Sequence, residues 1–526
     1  MSDRLIWTRR RDLFVEGGVY FLLVFCPLAF GAVEDWAIGL IQMVTWTVFA
    51  AWAWDRRPGR LRQPTVQPAP RPTRAEWLGW GSIAAFVLLL AASLVPLPRA
   101  VLSRVAPGSD SIYAMTVPGY AAPEPGPIDR VSWLINDPAI TLPAPGTAAA
   151  TRWPERTPPA APAGWRTTSI YPFRTASRLG LLIAYIVLFI VVSGSFITRE
   201  KINRLLRVAV GSTFIVSLLG ILQKLSQSER LLWIRSGDYK EIFGPFVNRN
   251  SYAALAVTVL PVALALAVAA HRRGRSGQMR SVPGLLGFGF SAAVIAGGIF
   301  YSLSRGGMIA AGIAVVLLSA FLFTAGERKL ELLSLPALVI PMAAFVMWIG
   351  SEEVVERMGT LAAGSGTPSM AARLIAWQRA FGVIGENLLV GSGLGTFAFA
   401  IQRYSPPGHA WWTTAHNEYI ELLADTGILG FLLIMIALGA YVTRVFRPGL
   451  FRHSRRACAW AGLCTGIASL LLHSLVSADL QVPAIAVLLV VLAAALLNVV
   501  RVQEGRTGRR RGRPAASLPP HPGLVR

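Results

Sequence analysis

Runs of about twenty apolar residues recur along nearly the whole chain, and that length is what an α-helix needs to cross a bilayer. Hydrocarbon offers no water to satisfy backbone N–H and C=O groups, so each crossing segment must satisfy its own as a helix. Composition agrees: 54% of the 526 residues are hydrophobic and 15% are charged, too few for the polar surface of a soluble chain of this size. The expectation is an all-α polytopic membrane protein with about 12 transmembrane helices and a loop/helix region before span 10. The expected spans are Leu13–Ala32, Trp36–Trp54, Trp77–Val95, Ala176–Ser195, Leu205–Gln223, Ser251–Ala270, Pro283–Tyr301, Gly306–Ala325, Leu332–Gly350, Ile428–Val445, Ala457–Val476 and Val482–Val500.

The formal net charge is +23, which in a soluble protein would suggest nucleic acid. Here the basic residues cluster in short gaps between apolar runs: Arg9–Arg11, Arg56 to Arg62, Arg272 to Arg275, Arg452 to Arg456 and Arg509–Arg511. That is the positive-inside pattern of a membrane protein, and it argues against a nucleic-acid partner. The gaps Asp55–Arg74, Thr198–Arg204, His271–Arg280, Gly326–Lys329 and Arg444–Arg456 all fall on one side when every span is counted, and both termini join them. The reading is therefore a multi-pass protein with both ends in the cytoplasm. Arg9–Arg11 before an apolar run imitates a signal peptide, but a second span begins near Trp36, so an uncleaved first helix is expected. Cys26, Cys458 and Cys464 lie in or beside apolar runs with no metal spacing, as buried small hydrophobes would.

These boundaries divide the chain into spans 1–3 (1–95), a Pro-rich external loop (96–175), spans 4–9 (176–350), an external loop that holds the chemistry (351–427), spans 10–12 (428–500) and a basic tail (501–526). The 96–175 segment is dense in Pro, Ala and Gly, with Trp133, Trp153 and Trp165 scattered through it. Such composition forms little regular structure, and its functional alternative is a cap that helps select an acceptor. The tail is expected to be disordered and to touch anionic membrane lipid.

External arginines run against the positive-inside bias and ask for a reason. Arg249 lies in Gly244-Pro-Phe-Val-Asn-Arg-Asn250, Arg305 in Ser302-Leu-Ser-Arg-Gly-Gly307, and Arg373 in a stretch that reads as an amphipathic helix with Trp377. Each alone would pass as a rim residue; together they suit an anion such as pyrophosphate, which guanidinium forks bind bidentately. Asn248, beside Arg249, and Asn417, beside His416, are secondary candidates. Of six histidines, His271 and His453 fall in basic gaps and His521 in the tail, leaving His409, His416 and His473 on the external side. His416 opens a short helix that ends at Gly427, with Glu418 and Glu421 on one face. An imidazole there suits a base that deprotonates a sugar hydroxyl, with the carboxylates as base or orienter. His473 and Asp479 bracket the end of the next-to-last span and are secondary candidates, since either can be a local pair at a span end. No Asp-x-Asp or Glu-x-Asp pair occurs in any external segment, so no metal site is expected.

Residues from about Phe243 to Gly430 resemble the O-antigen ligase/polymerase family of bacterial membrane proteins. The resemblance rests on Gly244–Ser251, Ser302–Gly307, Arg373 with Trp377, Leu388–Phe397 and, most specifically, His416–Gly430. It implies an enzyme of the inner membrane with a periplasmic active site and no cofactor. The donor it implies is an undecaprenyl-pyrophosphate-linked glycan, transferred with inversion. The acceptor is lipid A core for a ligase, or a second lipid-linked glycan for an O-antigen or exopolysaccharide polymerase. In that scheme Arg249, Arg305 and Arg373 hold the pyrophosphate, and His416, Glu418 and Glu421 act on the acceptor. A lipid-linked sugar flippase or transporter is the reading from another class, and would place charged sites near the bilayer midplane. A non-catalytic scaffold for polysaccharide export is a third.

Overall fold

The computed structural model describes residues 2–54, 73–117, 120, 164–237, 241–274, 282–326, 368–405, 412–452, 454 and 456–511. Its helices follow the apolar runs. First come α1 (Ser2–Leu28), α2 (Asp35–Trp54) and α3 (Arg74–Ala92). Two short helices, α4 (Arg99–Val105) and α5 (Pro107–Thr116), precede α6 (Pro172–Ser195) and α7 (Arg199–Leu225). Then follow α8 (Arg249–Gly274), α9 (Val282–Tyr301) and α10 (Arg305–Thr324). After α11 (Pro368–Glu386) and the one-turn α12 (Phe397–Ala400) come α13 (Glu418–Val445), the one-turn α14 (Pro448–Phe451), α15 (Ala457–His473) and α16 (Pro483–Arg511).

Among the described residues nine helices are long and apolar enough to cross a membrane: α2, α3, α6, α7, α8, α9, α10, α13 and α16. α1 and α15 coincide with expected spans but fall short of that measure. α15 has 17 residues, and the charged first half of α1 runs on to Glu16. The expected span Leu332–Gly350 lies outside the described residues.

α8 is the hub, buried along nearly its whole length and packed against α7, α9, α10 and α15. Helices in lipid gain nothing from hiding apolar surface as such, so close approach of small residues must hold them together. Gly462 and Gly466 give α15 that approach to the α8 backbone. Tyr252 adds a pin, its phenol donating to Ser217 Oγ of α7 at 2.8 Å. α16 packs against α6, α15 and α1, and α13 against α3. Cys26, Cys458 and Cys464 are all buried and unbridged, as expected.

One end of the bundle gathers the basic residues, and many are paired. Glu16 of α1 accepts from Arg204 at 2.9 Å and Lys201 at 3.2 Å, both on α7. Arg444 of α13 grips Glu504 of α16 with both Nη atoms, at 2.9 and 2.7 Å. Glu76 of α3 joins the same group through Arg501 at 2.9 Å and Arg444 at 3.3 Å. A charge this deep needs its partner, because removing one side leaves an uncompensated ion.

The Pro-rich segment is better ordered at its two ends than its composition predicts. Leu97–Pro98 (β1) and Trp165–Arg166 (β2) pair antiparallel. The Ser109 amide of α5 donates to Asn387 Oδ1 at 3.1 Å, and the Tyr113 phenol donates to the Ser169 carbonyl at 2.6 Å. These partners are distant in sequence, so a reading from local composition misses them. Trp133 and Trp153 lie outside the described residues, while Trp165 stands exposed on β2.

Candidate active site

At the end of the bundle away from the paired arginines, the starts of α8 and α10 interlock. The Asn250 amide donates to Asn248 Oδ1 at 2.8 Å, and Ser304 Oγ donates to Asn250 Oδ1 at 2.8 Å. Ser304 also caps α10, accepting the Gly307 amide at 3.2 Å. A Cβ on Gly307 would sit 2.6 Å from that of Ala253, so glycine is what lets α10 begin this close to α8. Arg305 is thereby fixed as the first residue of α10. Arg249, the first residue of α8, is bridged to Glu241 at 2.7 Å, a partner the sequence reading did not foresee.

α11 carries Arg373 into the same neighbourhood. Arg373 lies within electrostatic range of Arg305, Glu241 and Asp479. Burial lowers its pKa; Glu241 pushes it back up and Arg305 lowers it again, and it remains a cation at neutral pH. On the next turn Trp377 donates from Nε1 to the Ala415 carbonyl at 2.8 Å. That bond ties α11 to the residue just before His416.

His416 sits in left-handed backbone, with φ at +51°. A non-glycine residue there costs of order 1–3 kcal/mol and persists only where its surroundings hold it. Glu421 is what holds it: its Oε1 accepts the Ala415 amide at 2.6 Å, and its Oε2 accepts from the Gln481 side chain. Both oxygens of this buried carboxylate are thus engaged. Asn417 caps α13 by accepting the Tyr419 and Ile420 amides at 3.0 and 3.1 Å, so the cap role falls to Asn417 rather than His416. Glu418 Oε2 accepts the Leu480 amide at 3.3 Å. Burial, with Arg373 next, lowers the His416 pKa, while Asp479 and Glu241 push the other way. The balance holds the imidazole below its ordinary range, the direction that a base working near neutral pH needs.

The helix from Glu418 breaks at Gly427, where φ is 63° and ψ is −175°, before continuing as the span. The expected stop is therefore present. Its cause is a second strip of chain, 388–395, that pairs with the break. Ile428 and Leu429 amides donate to the Leu388 and Leu389 carbonyls at 2.8 and 3.2 Å, and Ser392 and Gly393 amides to those of Ala424 and Asp425 at 3.0 and 2.9 Å. Asp425 then accepts the Gly395 amide at 2.6 Å, ahead of α12. Arg174 and Arg178 of α6 close this joint from the side. Arg174 Nε donates to the Gly395 carbonyl at 3.0 Å, and Arg178 Nη1 to that of Gln481 at 3.5 Å.

His473 and Asp479 form a direct pair, Nδ1 to Oδ2 at 2.8 Å, with both side chains 1% exposed. The loop between them is stitched to α13, since the Glu418 amide donates to the Ser474 carbonyl at 3.0 Å. A Cβ at Gly306 would lie 3.3 Å from His473 Nε2, which places that ring beside the start of α10.

Residues 290–435 match the family model described as Wzy_C, O-antigen ligase. Over these residues the chain is similar to the O-antigen ligase family. No curated protein matches the chain significantly. The matched segment contains Arg305, Arg373, His416, Glu418, Glu421 and Asp425, together with the joint at Gly427. Arg249, His473 and Asp479 lie outside it in sequence and join it in space.

The residues named from sequence are thus brought together with two qualifications. Arg249 reaches the group through Glu241, and Glu421 faces the backbone of the His416 turn instead of an open space. His409 lies outside the described residues. Sequence reasoning missed Arg174, Arg178, Gln481 and Asp425. The two arginines open an apolar span, which was itself a usable sign, since charges within a span generally carry a reason.

Proposed function

We propose that the chain is an O-antigen ligase that moves a glycan from undecaprenyl pyrophosphate to a sugar hydroxyl of lipid A core. The reaction takes place at the periplasmic face of the bacterial inner membrane, with inversion and without a metal. What carries this reading is His416, locked in left-handed backbone within electrostatic range of Arg373, which is itself within range of Arg305, inside the segment that matches the O-antigen ligase model. His416 takes the proton from the acceptor hydroxyl as its oxygen bonds to the anomeric carbon. The bond from that carbon to the phosphate oxygen breaks, and its electron pair leaves with the pyrophosphate. Arg305 and Arg373, with Arg249 held through Glu241, stabilise the charge that develops there. Glu421 keeps the His416 turn in place and Glu418 supports the adjoining loop. Twelve spans, Leu332–Gly350 included, with both termini in the cytoplasm, complete the proposed topology.

The ionisable groups of the site gather where the helices begin and end, not midway along them, which favours an enzyme over a flippase. The test is transfer from an undecaprenyl-pyrophosphate oligosaccharide by purified protein in nanodiscs, with EDTA throughout. Lipid A core and a second lipid-linked glycan are offered as acceptors. One-step transfer to lipid A core, reduced at least about 100-fold in Arg305→Ala at normal expression, is the expected result. A ladder on the lipid carrier would establish a polymerase instead. Unchanged transfer in Arg305→Ala would remove that residue from the scheme.

A further inference from the structure

A base that takes up a proton becomes a cation, and the surroundings of His416 already hold another in Arg373. The charged groups that act on it are Arg373 from α11, Glu241 from the segment before α8 and Asp479 from the loop after α15, and Arg373 is itself within range of Arg305. Glu241 is 48% exposed to solvent and bonded to Arg249 at 2.7 Å, so it is both screened and occupied. Asp479 is different. It is 1% exposed, and His473 Nδ1 engages only its Oδ2. Its Oδ1 is buried and has no hydrogen-bond partner among the described residues. A buried carboxylate oxygen without a partner is costly, and a cation arriving within its range relieves that cost. The Ser474 and Leu480 backbone contacts to Glu418 hold this loop in register with the His416 turn.

We propose that Asp479, oriented by His473, is a positioning residue whose free carboxylate oxygen serves as counterion to His416 once His416 has taken the acceptor's proton. The inference rests on the assignment of His416 as base. No proton passes to Asp479: the acceptor's proton stays on the His416 imidazole.

The test measures transfer by the full-length protein in nanodiscs against pH, with an undecaprenyl-pyrophosphate oligosaccharide as donor. Asp479→Asn is expected to lower kcat by about 100-fold while the donor KM stays within about threefold. The acid limb of kcat/KM should move to lower pH, because a charge that favours the imidazolium has gone. In a His416→Ala background the same substitution should cost no more than about twofold, since residues acting through one another are not additive. An equal loss in both backgrounds, or an unmoved acid limb, overturns the proposal and leaves the base assignment standing. Full activity in His416→Ala alone would instead remove the base assignment. If Asp479→Asn does not fold, His473→Asn and His473→Leu decide. The asparagine keeps a donor for Oδ2 and should keep the acid limb in place, and the leucine should move it. Matching behaviour of the two variants overturns the proposal.

Discussion

Replacing Gly427 with alanine tests whether the active-site helix is rigidly keyed to the span below it. The added Cβ would lie 2.5 Å from the Val390 nitrogen and nearer still to the Leu389 carbonyl. Ordinary contact begins near 3.4 Å, so the facing backbone must retreat by about 1 Å. It cannot do so without loosening the Ile428–Leu388 and Leu429–Leu389 hydrogen bonds, each worth about 0.5–1.5 kcal/mol. The φ and ψ of Gly427 add about 1–3 kcal/mol, because they lie in a region that is essentially glycine's alone. The total is about 2–6 kcal/mol, concentrated at one joint. Gly439 is the internal control. It lies in the same helix with nothing within 4 Å of its would-be Cβ, so its change to alanine should be neutral or stabilise by up to about 1 kcal/mol. Thermal midpoints by fluorescence-detected size exclusion and single-turnover transfer would be read on both variants. Gly427→Ala is expected to lose several degrees and at least about tenfold in turnover. If it tracked Gly439→Ala in both, the joint would not be what positions His416.

Three further outcomes follow from other parts of the molecule. His416 must be neutral to act and its pKa is lowered, so the midpoint of the acid limb of activity should lie below pH 6.5. Arg373→Gln should move that acid limb to higher pH, and a limb above 6.5 or one unmoved in the variant would contradict the electrostatics. Asn387→Leu leaves the Ser109 amide without its acceptor, at about 1–3 kcal/mol. It should speed limited proteolysis near 97–117 while the thermal midpoint of the bundle holds. At the opposite end, Glu504→Ala strands Arg444 on Glu76 alone and should lower thermal stability by about 1–3 kcal/mol. Turnover per folded molecule should stay within twofold, and a larger loss would tie that end to the chemistry.

What the sequence made legible is what depends on periodicity and on short local chemistry. The apolar runs, the basic gaps and the stop at Gly427 were readable because each is encoded within one stretch of chain. The pairing of 388–395 with 424–429 was not, although both strips had been noted as motifs. Neither strip says that its backbone hydrogen bonds go to the other. Glu241 escaped notice for the same reason, since its role with Arg249 and Arg373 exists only once α8 and α11 meet. Glu421 looked like a second base because a carboxylate three residues from another shares its face. Only the folded chain directs its oxygens at the Ala415 amide and at Gln481.

The short β1–β2 pair has a consequence for how such a protein can diversify. It brings Leu97–Pro98 and Trp165–Arg166 together, so everything between them leaves and returns through one doorway, fastened to Asn387 by α5. The entropy of closing a loop rises only with the logarithm of its length, about 0.6 kcal/mol for each doubling. A change of length beyond that doorway is therefore expected to cost the bundle little stability.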